Sequence, residues 1–356
     1  MLYRTPKPSA ALEAALDELD ALRQRLGRAS DQPSLWMGTL RRAALAGAVE
    51  SSTAIEGFIV PHADALALVT GQSPAGPADE NRLAVACYAR AMDRVGAMAD
   101  DPGFRWIDRV ILDLHFDVCQ FQRDKRPGRW RTGPIGVTGG DGRLVYRGPD
   151  GDQVPGLMAE VADWLQEGDL DAHVAVRAAM AHLNVVRVHP FEDGNGRISR
   201  IVQSLVLARD GEVTPEFASI EEYLRERTPD YYAALQSTGA TYSPERDATG
   251  WVEFCVEAHL AQARRRLDQI DLAGQRWTAL ETLAERRGWP GRMVVALEQA
   301  LIEGTNRASY SEEADISSAT ATNDFRLLVD SGWIEQAGRG RSTRYAATEQ
   351  LRRESG

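Results

Sequence analysis

The chain has 356 residues, 43% hydrophobic and 26% charged, with 41 basic and 52 acidic side chains and a formal net charge of −11. That length suits two or more domains with ample cores, and the acidic balance excludes a general nucleic-acid-coating role, leaving only local patches. Cys87, Cys119 and Cys255 are scattered, odd in number and without Cys-x-x-Cys spacing, which excludes a disulfide framework and a structural zinc site. The opening Met-Leu-Tyr-Arg-Thr-Pro lacks a signal-peptide core and no run reaches about 20 apolar residues, so the expectation is a soluble cytoplasmic protein without a membrane partner.

In chain order, Leu12, Leu16, Leu19, Leu22 and Leu26 predict an amphipathic helix over 9–28, broken at Ser30, Asp31 and Pro33. An alanine-rich helix over about 35–56 follows and ends in VESSTAIEGF. Ser52 and Glu56 share one face there, and Gly57 suits a left-handed stop. A carboxylate in a last turn opposes the helix dipole by a few tenths to ~1 kcal/mol, so Glu56 needs a cation beside it or is simply solvated. Residues 60–80 read as a loop-rich connection with one short helical piece. Helices are predicted over 80–98 and 105–122, with His115 in the core of the second. In 126–151, two strand-like runs, 135–138 and 144–146, flank Gly139-Gly140-Asp141-Gly142 and predict a hairpin. Another helix is expected over 153–168.

The stretch from 182 to 200 reads HLNVVRVHPFEDGNGRISR. Val176, Ala179, Met180, Leu183 and Val186 carry a buried helix up to His189, which Pro190 ends. Gly194 and Gly196 allow a tight turn, and Ile198, Ile201, Val202, Leu205 and Val206 begin a second helix. Arg197 and Arg200 point the same way from that helix. Backbone N–H groups at a helix start bind anions and arginine forks grip phosphate oxygens, so this is a polyphosphate site with an imidazole beside it. No Gly-Lys-Ser/Thr follows the glycines, which excludes a Walker loop. An amphipathic helix with Tyr231 and Tyr232 is predicted over 219–236, another over 251–270, then a polar linker near 271–275. Beyond it, two helices, a short helix–turn–helix, Gly332 and two strand runs around Gly338-Arg339-Gly340-Arg341 resemble a winged helix-turn-helix. Residues 318–331 would be its recognition helix, offering Thr320, Thr322, Asn323 and Arg326, with Arg339, Arg341 and Arg344 on the wing. Asp324 and Asp330 share that helix, so DNA contact and docking of a protein partner stand level. There are no internal repeats or low-complexity tracts.

HPFEDGNGRISR resembles the signature of the Fic (filamentation) family, H-P-F-x-D/E-G-N-G-R-x-x-R, at every defining position. The resemblance implies a mainly α Fic-type helical bundle with a small β-hairpin flap, joined to the C-terminal winged helix. It divides the chain into an N-terminal helical region over 1–100, a catalytic core over 101–270 with its flap at about 131–148, and the winged helix over 276–350. Ser52-Thr53-Ala54-Ile55-Glu56-Gly57 matches the family's inhibitory motif S/T-x-x-x-E-G/N, so the helix over about 35–57 would be inhibitory, with Glu56 pairing Arg200 where the ATP γ-phosphate belongs.

The same resemblance implies transfer of AMP from ATP to a Ser, Thr or Tyr hydroxyl of a protein target, itself included, with release of pyrophosphate. His189 would be the general base, its ordinary pKa of ~6.5 leaving it mostly neutral at cytosolic pH. Asp193 would hold Mg²⁺ across the α- and β-phosphates, and Phe191 would anchor the loop. Gly194, Asn195 and Gly196 would present N–H groups to the phosphates, with the Asn195 side chain on the α-phosphate. Arg197 would take the β-phosphate and Arg200 the γ-phosphate, while Tyr231 and Tyr232 would border the adenine. Gly196 stands where relatives that phosphorylate carry lysine. The hairpin would pair its edge with the target segment, which positions a hydroxyl without naming its owner. Two other readings stay open: removal of AMP at the same site with Glu56 positioning a water, and a DNA-binding regulator whose Fic domain is a sensor. A homodimer is also left open.

Overall fold

Two helices buried on nearly every side form the centre of the molecule, and both carry polar side chains inward, among them His182, Arg187, Arg197 and Arg200. In the computed structural model, which describes residues 1–31, 34–72, 78–140, 142–302, 304–338 and 343–355, sixteen α-helices can be numbered among the described residues, with two small antiparallel hairpins. The first half comprises α1 (Ala10–Ser30), α2 (Met37–Ile55), α3 (His62–Val69), α4 (Glu80–Asp100) and α5 (Asp108–Cys119), then β1 (Gly136–Thr138), β2 (Leu144–Arg147) and α6 (Val154–Glu167). The central pair is α7 (Val174–Val188) and α8 (Asn195–Asp210), followed by α9 (Pro215–Ala218), α10 (Glu221–Glu226), α11 (Thr228–Ser237) and α12 (Thr249–Arg287). The C-terminal unit holds α13 (Met293–Ile302), α14 (Arg307–Glu313), α15 (Ser318–Asp330), β3 (Ile334–Ala337), β4 (Arg344–Ala347) and α16 (Glu349–Glu354).

Helix α7 divides the core. Val176, Ala179, Met180 and Leu183 face one cluster with α1, α11 and α12, while Ala178, Ala181, Val185 and Val188 face a second with α4, α5, α6 and α8. Local chemistry sets the ends of the flanking helices: Ser9 Oγ accepts from Leu12 N at α1, and Asp79 Oδ1 accepts from Arg82 N at α4. The first hairpin pairs Val137 with Tyr146, and Tyr146 turns inward, only 6% exposed.

Two helix expectations need correction. The helix read over 219–236 is two, α10 and α11, because Pro229 has no N–H and its ring would clash with the carbonyl four residues back; it is tolerated only in a first turn, so a new helix starts at Thr228. The stretch 271–275 read as a linker is helical, inside the 39-residue α12. Gly274 alone costs about 1 kcal/mol against alanine. Burial of Leu267, Ile270 and Ala273 before it, and of Leu280, Leu283 and Ala284 after it, outweighs that.

Leu280 and Leu283 open a third core with Leu297, Tyr310, Phe325, Leu328 and Trp333. In α15, Asp324 points into this core: it accepts from both Nε and Nη2 of Arg292, at 2.8 and 3.0 Å, and from the Tyr310 hydroxyl at 2.8 Å. Asn323 and Arg326 are exposed on the same helix. Arg339 and Arg341 of the expected wing lie outside the described residues.

Candidate functional site

The site is the loop between α7 and α8. His189 ends α7 in the left-handed region, φ 51°, a conformation uncommon for any side chain but glycine. Arg131 holds it there. Its Nε donates to His189 O at 2.7 Å, Nη1 to Gly133 O at 2.7 Å, and Nη2 to Pro149 O at 2.8 Å and Val188 O at 3.2 Å. One 2%-exposed guanidinium therefore fastens the turn to both ends of the flap region. The His189 ring is oriented as well: Nδ1 donates to Val186 O at 3.0 Å, which leaves the lone pair on Nε2. Burial depresses its pKa from 6.5 to about 4, against the opposing pull of that carbonyl. The imidazole is neutral at neutral pH and competent to take a proton.

Phe191 follows, fully buried and stacked on His115 at 3.6 Å between ring centroids. His115 Nε2 meets Asp193 O at 3.1 Å, and its Nδ1 accepts from Gly128 N at 2.9 Å, so this core histidine shapes the loop from behind. The Asn195 side chain is committed to the loop: its Nδ2 donates to Phe191 O and its Oδ1 accepts from Phe191 N, both at 2.9 Å. The expectation puts this side chain on a phosphate; its two bonds to Phe191 tie the loop and leave the second N–H of Nδ2 over. Gly194 is required twice over. Its φ is +77°, and a Cβ there would lie 2.5 Å from Cys119 Sγ.

Helix α8 then points its N-terminus at the space beside His189. The N–H groups of Asn195, Gly196 and Arg197 have no acceptor within the helix and carry its positive dipole end. Both arginines are buried. Arg197 Nη2 donates to Asp193 Oδ2 at 3.1 Å, and its guanidinium carbon lies 5.0 Å from the Phe58 ring centroid and 6.0 Å from that of Phe121. Arg200 Nε donates to Ser52 Oγ at 2.7 Å, and Nη2 donates to Ser52 O at 2.9 Å and Glu56 Oε1 at 2.8 Å. Burial alone would lower the Arg200 pKa, but the Glu56 charge reverses this and holds it above its usual value. Glu56 is thus the acidic residue at the end of α2, and its cation is the one expected. The carboxylate lies over the start of α8: a Cβ on Gly196 would be 2.2 Å from Glu56 Oε1. It occupies an anion site.

Arg197 Nε and Nη1 and Arg200 Nη1 are buried and have no protein partner. Such orphaned donors are costly unless an anion completes them. Of the two tyrosines, Tyr231 is core, its hydroxyl 3.0 Å from His182 Nε2, whereas Tyr232 is 42% exposed. Only Tyr232 can border a ligand, and the Glu56 charge contributes, after burial, to raising its pKa. The flap reaches the same place: the Tyr146 hydroxyl donates to Arg187 O and its ring lies 6.3 Å from that of His189. Strand β1 has no second strand partner among the described residues. Arg131 and Phe58 are the contributors the sequence did not single out. Nothing in RPGRWRTG marks one arginine among three, and Phe58 lies just beyond the matched motif.

The fold is thus a bundle whose central pair of helices closes a turn suited to anions, with an oriented histidine beside it. Residues 106–207 match the family model described as Fic/DOC family. The protein adenylyltransferase fic-1 of Caenorhabditis elegans is 34% identical over 126 residues, 35% of this chain and 22% of that protein. The protein adenylyltransferase Fic of Nematostella vectensis is 28% identical over 148 residues, 41% of this chain and 31% of that protein. The chain thus spans roughly a fifth to a third of the curated relatives it matches. A solved Fic family protein from Desulfovibrio desulfuricans shares the fold over 98% of this chain and 99% of its own, with a TM-score of 0.60 at 22% identity. A solved C. elegans Fic-1 fragment gives a TM-score of 0.59 at 22% identity over 73% of this chain and 72% of its own.

Proposed function

We propose that the chain is a self-inhibited protein adenylyltransferase that moves AMP from ATP to a Ser, Thr or Tyr hydroxyl of a protein. The observation that carries this is the set of unpartnered buried guanidinium nitrogens of Arg197 and Arg200 at the α8 N-terminus, beside His189 with its lone pair on Nε2. The triphosphate lies along the Gly194–Arg197 backbone, with Arg197 on the β- and Arg200 on the γ-phosphate. The target hydroxyl oxygen attacks the α-phosphorus, its proton passes to His189 Nε2, and the bond to the β-phosphate oxygen breaks to release pyrophosphate. Target backbone pairs with the open edge of β1.

Asp193 fits a Mg²⁺ ligand. It is a partly exposed hard oxygen donor at the anion site, and no cluster of three metal-ligating side chains occurs among the described residues. One carboxylate plus substrate phosphates is a usual magnesium arrangement. The bound ion would neutralise phosphate charge. Glu56 blocks this state, because its carboxylate and a γ-phosphate compete for Arg200. The Glu56 side chain is 25% exposed, and that access to water favours a second reading, with Glu56 positioning a water for AMP removal. The C-terminal unit is proposed as a winged helix that docks DNA or a protein.

The test uses ATP labelled at the α-phosphate. Label should enter protein with the Glu56→Gly variant, and entry should vanish when His189→Ala is added while ATP binding persists. Label incorporation by the His189→Ala double variant at the Glu56→Gly rate would overturn the assignment. Faster AMP release from a pre-labelled target by wild type than by Glu56→Gly would favour the second reading.

A further inference from the structure

Helix α2 is gripped at both ends. Its last turn meets Arg200 through Ser52 and Glu56. Its first turns meet the C-terminal unit, more than 200 residues away in sequence. Arg42 Nη1 donates to Glu313 Oε2 at 2.9 Å, and Glu313 is the last residue of α14. The approach is close: a Cβ on Gly38 would come 2.7 Å from Glu313 Oε1 and 3.3 Å from Arg42 Nη1. A second tie joins the segment after α3 to the same unit, where Gln72 Oε1 accepts from Arg344 Nη2 at 2.8 Å and Asn306 Nδ2 at 3.4 Å. Trp36, just before α2, lies against Gly274 of α12.

A helix of 19 residues is a rod of about 28 Å, so movement at its first turn is carried to its last. The middle of α2 offers few projections to resist such movement: Ala44, Ala46, Gly47 and Ala48 are buried there, and Gly47 lets Glu222 come close. Glu50 is its polar hold, on Arg225 at 2.6 Å and His62 at 2.8 Å. Helix α14 in turn precedes α15, whose outer face is exposed at Asn323 and Arg326.

We infer that the C-terminal unit is a restraint on the inhibitory helix, and that displacement of α14 from the first turns of α2 loosens the Glu56 lock on Arg200. This rests on the inhibitory reading of Glu56. Docking of a partner on the C-terminal unit then becomes an input to the catalytic site, passed along α2.

The experiment compares full-length wild type, Glu313→Gln, Gly38→Ala and the charge exchange Arg42→Glu/Glu313→Arg, each with and without Glu56→Gly. Glu313→Gln removes the charge, whereas Gly38→Ala displaces the carboxylate and keeps both charges. The readouts are the initial rate of label transfer from ATP and amide hydrogen exchange in residues 50–57. Both single variants should raise the rate about two- to five-fold, the factor a partly exposed ion pair supports, and should speed exchange in 50–57. The exchanged pair should return both toward wild type, and no variant should add to Glu56→Gly. If Glu56→Gly raises transfer while Glu313→Gln and Gly38→Ala change neither readout, the restraint is wrong and the inhibitory reading stands. If Glu56→Gly is itself silent with ATP bound, the inhibitory reading fails and takes the restraint with it. Equal gains with and without Glu56→Gly would place the effect outside the lock and overturn the inference.

Discussion

Gly196→Ala should change sign with the residue at position 56. A methyl on Gly196 would lie 2.2 Å from Glu56 Oε1, about 1 Å inside an ordinary C···O contact of ~3.3 Å. The carboxylate must retreat by that much, which takes its 2.8 Å bond to Arg200 Nη2 beyond hydrogen-bond range. A charge-assisted bond to a buried guanidinium contributes about 1.5–3 kcal/mol. The backbone at 196 is helical, so alanine itself gains about 0.4–1 kcal/mol there. The net cost is then about 0.5–2.5 kcal/mol in wild type, against a gain of about 0.4–1 kcal/mol once Glu56→Gly has removed the carboxylate. Without nucleotide, the thermal midpoint should fall by a few degrees in the first background and rise by about one to three in the second. A double-mutant cycle read by differential scanning fluorimetry measures both. A shift in the same direction in both backgrounds would refute the placement of the Glu56 carboxylate over the start of α8.

Arg131→Lys should cost about 2 kcal/mol or more and reduce transfer, since an ammonium cannot reach the four carbonyls that the planar fork joins; urea unfolding and label transfer check the two effects. Tyr232→Ala should weaken ATP binding with little change in melting, whereas Tyr231→Phe should lower stability by about 1 kcal/mol through its lost bond to His182; calorimetric titration and melting separate them. His189 and His115 have pKa values lowered by burial to about 4, and His182 to about 3. Between these values and 6.5 the unfolded chain binds more protons than the folded one, so stability is full above about pH 6.5 and is lost as pH falls through 4. Urea midpoints at pH 4.5, 5.5 and 6.5 should rise in that order, and transfer by the Glu56→Gly variant should stay flat from pH 6 to 8.

What was legible in the sequence follows from what short-range pattern can encode. The helix–turn–helix of 182–200 was readable because a run of defining residue types lies within a dozen positions, and Glu56 because a helix-end carboxylate needs a cation. The orientation of the Asn195 side chain is not legible, because the motif records which residue is needed and not which way it faces. It turns inward to Phe191, so that the backbone presents the N–H groups. Arg131 was invisible because its four acceptors are main-chain carbonyls, which every residue has. Helix continuity through 271–275 is hidden for a related reason: polar composition suggests a linker, while most of the apolar residues that override it, Leu267, Ile270, Leu280 and Leu283, lie outside the stretch. Pro229 marks the break between α10 and α11, but the amphipathic pattern runs across both helices and masks it.

The unbroken α12 sets the phase between the two ends of the protein. One residue inserted near Gly274 would advance everything after it by about 1.5 Å and turn it by about 100°. Glu313 would then swing away from Arg42, although no residue of either had changed. An insertion of seven residues would restore the facing and separate the partners by about 10 Å. Helix length therefore acts as a dial with few usable settings, and an exchange of C-terminal units between proteins of this architecture should succeed only where the count of residues from Thr249 to Gly288 is kept.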